Sequence, residues 1–337
     1  MGFEPTKHFR VYMLSRHARS AALTPLQISH RVYIVNPLSD NYCFCLKISS
    51  VRLIILRMKS IILVFLLLFG ACAKQEPASS KPIVLTNIAP YAYFLNKIGG
   101  DTIVAKPLIP SGANPHLFEP TLRDVEPLKS AKVWLRIGEP FEDKIINIIE
   151  QHNPTLLMID LSEGIDLIRE GCAHCDHAED RHIWLSPKEG KKQAIAIKEA
   201  LVKAFPENGT LYEENLLKFL SELDSLDAEI TEMLEPLSGQ AIVVSHPAFG
   251  YFCRDYGLKQ LSVEQEGKDP LPQHISELLQ TIEQNKISAI FAEPQYSNKG
   301  AELIAEKLHL QLYMVDPYSG DYPTTLRNIA KQIANKQ

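Results

Sequence analysis

The chain has 337 residues, 45% hydrophobic and 22% charged, a folded globular composition long enough for two domains of ordinary size. Residues 1–57 hold eight Lys/Arg against two Asp/Glu, a net +6, so with −5 overall residues 58–337 carry −11. An acidic body without a basic stripe excludes nucleic acid as a partner and fits a protein that handles cations.

Residues 61–69, Ile-Ile-Leu-Val-Phe-Leu-Leu-Leu-Phe, are too few to span a bilayer, which takes about 20 apolar residues. Arg52, Arg57 and Lys59 precede this run, and Gly70-Ala71-Cys72 follows it. A basic start, a short apolar core and small residues before a cysteine predict a lipoprotein signal over 58–71, with Cys72 taking the lipid. Phe69 stands where a smaller aliphatic residue is usual, and a plain cleaved signal or an uncleaved anchor are the alternatives. Residues 72–81 are polar and without periodicity, a tether that holds a domain off a membrane. Residues 1–57 do not fit this plan, so translation is expected to begin at Met58, the alternative being a genuine amino-terminal extension.

From residue 82 the chain alternates short apolar runs with helical patterns. Strands are expected over 83–86, 102–108, 133–137 and 155–160, with helices over 91–98, 122–130 and 141–151. The order repeats as strands over 241–245, 258–264, 288–292 and 312–315, with helices over 248–256, 273–285 and 298–308. This alternation predicts an α/β fold of two similar lobes, 82–205 and 239–337, each a parallel sheet flanked by helices. Between them, within 206–238, Leu211, Leu216, Leu217, Leu220, Leu223, Leu226, Ile230, Met233, Leu234 and Leu237 recur at helical spacing. They predict a long rigid helix over about 210–235, a spine joining the lobes.

Open parallel sheets bind ligands outside the carboxyl ends of their strands. His116 follows the second strand of lobe one, His182 lies past its last strand, His246 follows the first strand of lobe two, and Asp316 follows its last. Imidazole and carboxylate donors suit tetrahedral Zn²⁺, and prolines beside His116 and His246 fix their loops. His152, His274 and His309 have no such placement and read as surface or helix residues. Cys253 reads as a small buried thiol on a helix.

The segments 114–121, 180–187 and 245–251 together resemble the three metal-binding motifs of the cluster A-I substrate-binding proteins, which serve zinc and manganese ABC importers and include metal-binding adhesin lipoproteins. The resemblance covers about residues 82–334. It implies two α/β lobes joined by a long helix, with His116, His182 and His246 as ligands and Asp316 where many members have an aspartate. In some zinc members water or a nearby glutamate completes the site instead. A nitrogen donor at His246, where manganese members often have a carboxylate, favours Zn²⁺ over Mn²⁺. The implied function is capture of Zn²⁺ outside the cytoplasm by a lipid-anchored, monomeric binding protein that delivers it to an ABC permease and its ATPase.

Cys172, His174, Cys175 and His177 lie where zinc members carry a longer His- and acid-rich loop. They form either a weaker second metal site, a Cys172–Cys175 disulfide or a surface loop. Two rivals come from other classes. An extracytoplasmic zinc hydrolase would use three histidines and an open position, with Glu119, Glu264 or Glu293 as base, although no His-Glu-x-x-His motif is present. A surface adhesin would need an adhesive module, and the sequence shows none apart from the two lobes.

Overall fold

The computed structural model describes residues 81–169, 179–264 and 271–335. The expected signal and lipidated Cys72, and the group Cys172, His174, Cys175 and His177, lie outside the described residues.

Strands β1 (Ile83–Thr86), β2 (Val104–Pro107), β3 (Val133–Arg136) and β4 (Leu157–Asp160) form one four-stranded sheet in the order β2-β1-β3-β4. Strands β5 (Ala241–Val244), β6 (Lys259–Ser262), β7 (Ala289–Ala292) and β8 (Gln311–Met314) form the second in the order β6-β5-β7-β8. Every neighbouring pair is parallel. The expected fold class therefore holds, and the two lobes repeat one topology. Central strands β5 and β7 are buried throughout, because helices cover both faces of a parallel sheet and leave no polar side. The strand order reverses between β1 and β3 and again between β5 and β7, and each reversal opens a crevice at the carboxyl edge.

In lobe one, α1 (Ala89–Gly99) starts with Pro90 in its first turn and buries Tyr91, Phe94, Leu95 and Ile98, a stripe at helical spacing. Helix α2 (Leu122–Val125) is shorter than the expected 122–130, because Pro127 has no backbone N–H to continue the helical ladder. The chain continues there as a 3₁₀ turn over Glu126–Lys129. Helix α3 (Pro140–His152) follows β3 directly. An 18-residue helix, α4 (Pro187–Ala204), was absent from the expectation. Its buried residues include Glu189, Gly190, Gln193, Ala194 and Ala200 beside Ile197 and Leu201, so small and polar residues replace most of the apolar stripe that would announce it.

Helix α5 (Gly209–Leu234) is the spine, 26 residues or about 39 Å at 1.5 Å per residue. Its buried face is Tyr212, Leu216, Phe219, Leu223, Leu226, Ile230 and Leu234, at steps of three or four. Leu211 and Leu217, expected in the stripe, are instead exposed, and Tyr212 and Phe219 fill the face they do not reach. Each buried side chain contributes roughly 1.5–3 kcal/mol of gross burial free energy. The spine holds lobe one through Lys97–Glu222 at 2.6 Å and lobe two through the Tyr256 hydroxyl, which donates to Asp227 at 3.1 Å.

Lobe two adds α6 (Gly250–Asp255), α7 (Pro272–Gln284), α8 (Lys299–Leu308) and α9 (Tyr322–Ala334). Helix α9 was also beyond the expectation, although Tyr322, Leu326, Ile329, Ala330 and Ile333 give it a regular buried stripe. It crosses back toward lobe one, where Tyr322 packs edge-on against Phe94 and donates to the Trp184 carbonyl at 2.7 Å. Trp184 Nε1 donates to the Pro317 carbonyl at 2.9 Å, and Arg254 pairs with Glu189 at 2.9 Å. Together with one apolar core running through both lobes, these bonds limit how far the lobes can hinge. No helix among the described residues is long and apolar enough to cross a membrane.

Candidate metal centre

The first histidine is presented by a capped turn. The Asn114 side chain accepts from the amides of His116 and Leu117 at 2.9 and 3.2 Å, and Pro115 pre-sets the backbone of the 3₁₀ turn Pro115–Leu117. His182 is held more tightly: Asp180 Oδ1 accepts from both its backbone amide and its Nδ1 at 2.8 Å. His246 leaves the end of β5, whose ladder continues as Ser245 N to Phe291 O at 2.7 Å and Glu264 N to Ser245 O at 2.9 Å.

These three rings converge. Their centroids lie 5.4 Å apart for His116 and His182, 5.2 Å for His116 and His246, and 5.2 Å for His182 and His246. One nitrogen from each lies within 4.8 Å of the other two. Tetrahedral zinc with bonds of about 2.0–2.1 Å needs nitrogens roughly 3.3 Å apart, so small side-chain rotations close the gap. It is the one group of three or more potential ligands found among the described residues.

Each imidazole has a carboxylate behind it. His116 Nδ1 lies 3.0 Å from Glu139 Oε2, His182 Nδ1 lies 2.8 Å from Asp180 Oδ1, and His246 Nδ1 lies 2.6 Å from Glu264 Oε2. A carboxylate only accepts, so each neutral ring carries its proton on Nδ1 and turns the Nε2 lone pair inward. Such partners orient a metal-ligating imidazole and raise its basicity. The three carboxylates behind the rings also bring negative charge to the site, a field that attracts a divalent cation.

The rings titrate differently. Burial opposes charge on His116, but the Glu139 hydrogen bond and charge outweigh it and raise this imidazole above its ordinary value. Burial pushes His246 far down, and the neighbouring His182 and His116 push it further, so it stays neutral. His246 Nε2 is buried with no hydrogen-bond partner and its ring stacks on Tyr296 at 3.7 Å. His182 Nε2 instead lies 3.0 Å from the Tyr318 hydroxyl, which is 2.8 Å from the Tyr296 hydroxyl. Burial raises both phenols, so both keep their protons.

Asp316 does not join the convergent set. Its Oδ1 accepts from Gln295 Nε2 at 2.7 Å and from the Tyr318 amide at 3.0 Å, so this oxygen closes its own turn. His152 and His274 bond backbone carbonyls, and His309 caps α8 in the left-handed conformation at φ 54°. Cys253 is buried, and burial pushes its thiol up.

Sequence reasoning missed the supporting residues Glu139, Tyr296 and Tyr318. Glu139 follows β3 at the same carboxyl edge that located the histidines, so that rule would have found it. It is 3% exposed and opens α3 in a capping box with Glu142. Glu142 Oε1 accepts from the amides of Ile137, Gly138 and Glu139 at 2.9–3.0 Å, which fixes the turn that aims Glu139 at His116. Gly138 makes that turn at φ +85°, a conformation other residues adopt only under strain.

Residues 84–336 match the family model of ZnuA, the periplasmic component A of a zinc-uptake complex. The chain is 32% identical over 278 residues to a protein of Chlamydia trachomatis serovar D whose name assigns it metal binding provisionally, covering 81% of this chain and 99% of that one. It is 26% identical over 260 residues to the zinc-binding lipoprotein AdcA of Streptococcus pneumoniae R6, covering 73% of this chain and 52% of AdcA. A crystallised ZnuA deletion mutant with zinc bound is similar at TM-score 0.71 and 34% identity, covering 76% of this chain and 97% of that one. With three carboxylate-backed imidazoles at the mouth of two parallel sheets, the chain belongs to the family of periplasmic zinc-uptake component A proteins.

Proposed function

We propose that this chain is the solute-binding component of an ABC-type importer that captures Zn²⁺ outside the cytoplasm and hands it to the permease. The observation that carries this reading is the convergence of His116, His182 and His246, each oriented by its own carboxylate. Zinc is the cargo. His116 and His182 hold it from lobe one and His246 from lobe two, so the ion links the lobes and favours the arrangement that brings them together. With Asp316 Oδ1 committed to its own turn, we assign the fourth position to a water entering past His116, whose side chain is 32% exposed. Three imidazole nitrogens and no carboxylate in the convergent set suit Zn²⁺, and Mn²⁺ is not favoured.

The ion is bound and released, with no bond of a substrate broken. The groups that would serve a hydrolase as base are engaged: Glu264 accepts from His246, Glu119 pairs with Lys144, and Glu293 is fully buried with its carboxyl raised well above the usual range. A monomer held to the membrane through lipid on Cys72 completes the proposal, supported by the apolar run and small residues before that cysteine.

Metal analysis of purified protein equilibrated with equal Zn²⁺ and Mn²⁺ tests the reading. One zinc per chain is expected, with a loss of more than about a hundredfold in zinc affinity for His246→Ala at unchanged circular dichroism, since losing a ligand costs more than losing its supporting carboxylate. Unchanged zinc affinity in that variant refutes the site.

A further inference from the structure

The three imidazole lone pairs are not equally available. His182 Nδ1 carries its proton toward Asp180, so Nε2 is an acceptor and the Tyr318 hydroxyl, 3.0 Å away, must donate to it. With that proton spent, the Tyr318 oxygen accepts from the Tyr296 hydroxyl at 2.8 Å. The chain of donors runs Tyr296 to Tyr318 to His182, and successive bonds of this kind strengthen one another. His246 Nε2, by contrast, is buried with no partner. The Tyr318 ring is 8% exposed and packs on Trp184 at 5.1 Å between centroids, so its hydroxyl is held in place rather than swinging in solvent.

The lone pair that Tyr318 occupies is the one His182 would give a metal ion. One nitrogen lone pair cannot serve both. We propose that Tyr318 sets the metal affinity of this site by competing with the incoming ion for His182 Nε2, and that it re-caps this nitrogen as the ion leaves. The inference rests on the zinc-binding reading above. Loading exchanges an O–H···N hydrogen bond for a metal–nitrogen bond. The phenol keeps its proton throughout and keeps its bond from Tyr296. His116 and His246 make the first contacts and His182 closes last. A binding protein must surrender its cargo to a permease, and an internal donor waiting beside one ligand lowers the barrier to that release.

Tyr318→Phe tests this, because it removes the competing hydroxyl and keeps the ring against Trp184. A net hydrogen bond contributes on the order of 1 kcal/mol, so zinc is expected to bind about five- to tenfold tighter in a competition titration against a fluorescent chelator. Release into excess EDTA, followed by stopped flow, is expected to slow. Tyr296→Phe keeps the Tyr318 hydroxyl but removes the donor that polarises it, and should tighten binding by a smaller factor. The double variant should bind no tighter than Tyr318→Phe alone, because the Tyr296 hydroxyl acts through Tyr318. Weaker binding in Tyr318→Phe would make the hydroxyl a ligand, and unchanged binding would make it packing; either overturns the proposal. Should that variant fail to fold, unchanged or weaker binding in Tyr296→Phe overturns it equally. Wild-type protein that binds no zinc overturns the zinc reading as well, whereas wild-type binding without tightening in the variants overturns this inference alone.

Discussion

Replacing Gly250 with alanine should loosen the metal centre without touching a ligand. Gly250 opens α6 in lobe two and abuts the loop that carries His182. A Cβ there would lie 2.5 Å from Asp180 Oδ2 and 3.7 Å from its Cγ, against ordinary contact from 3.4 Å outward. The carboxylate must therefore retreat by roughly 0.5–0.9 Å. It has no slack, since Oδ1 already accepts from His182 N and Nδ1 at 2.8 Å, and a retreat of that size stretches both toward the limit of a hydrogen bond. Helix α6 cannot easily yield instead, because the Tyr251 hydroxyl donates to the Asp180 carbonyl at 2.8 Å and accepts from the Ile168 amide at 3.0 Å. Losing a carboxylate that supports a ligating imidazole costs about 10–100-fold in metal affinity, or about 1.4–2.7 kcal/mol. Zinc competition titration of Gly250→Ala should show a loss in that range while the metal-free protein keeps its melting cooperativity. In an Asp180→Ala background, where the space is vacated, the same substitution should cost little more. Wild-type affinity in Gly250→Ala, or full additivity with Asp180→Ala, would refute the coupling.

Two further outcomes follow from the electrostatics. His116 is raised above the ordinary imidazole value, and a protonated ring cannot coordinate, so zinc affinity should begin to fall on acidification at a pH above that ordinary value. Glu139→Gln removes the charge that raises it and should shift the onset to lower pH in affinity measured against pH. Burial raises the Glu293 carboxyl well above the usual carboxylate range, with the Glu264 charge adding to it and the His246 amide partly opposing. A raised acid stabilises the fold fully below its unfolded value and loses that contribution as pH climbs through the folded value. Glu293→Gln should therefore match wild-type thermal stability near pH 4 and exceed it increasingly above, by up to about 1.4 kcal/mol per pH unit across the shifted window. A pH-independent difference in melting temperature would show that the side chain is ionised in the fold.

The parts of this molecule legible in its sequence are those that pattern alone dictates. Strands β5 and β7 are buried on both faces, so they read as unbroken apolar runs. The carboxyl-edge rule led to His116 and His246 because they lie in the loops that leave β2 and β5, and it would have led equally to Glu139 after β3. Helix α4 stayed hidden because only Ile197 and Leu201 among its buried positions are large and aliphatic, with glycine, alanine, glutamine and glutamate at most of the others, where the spine uses leucine and phenylalanine. Asp316 was visible as an edge residue, yet only the loop's conformation decides that Gln295 and the Tyr318 amide claim Oδ1. Tyr296 and Tyr318 gave no signal at all, since an aromatic residue in a loop reads as packing until its hydroxyl is seen beside an imidazole.

X-ray absorption at the zinc edge of the full-length protein loaded with one equivalent of zinc tests the central claim most directly. Three imidazole nitrogens and one further light donor are expected at about 2.0–2.1 Å, with no heavier scatterer. A sulfur shell at about 2.3 Å would place the ion on cysteine instead, and fewer than three imidazoles would dissolve the centre built on His116, His182 and His246.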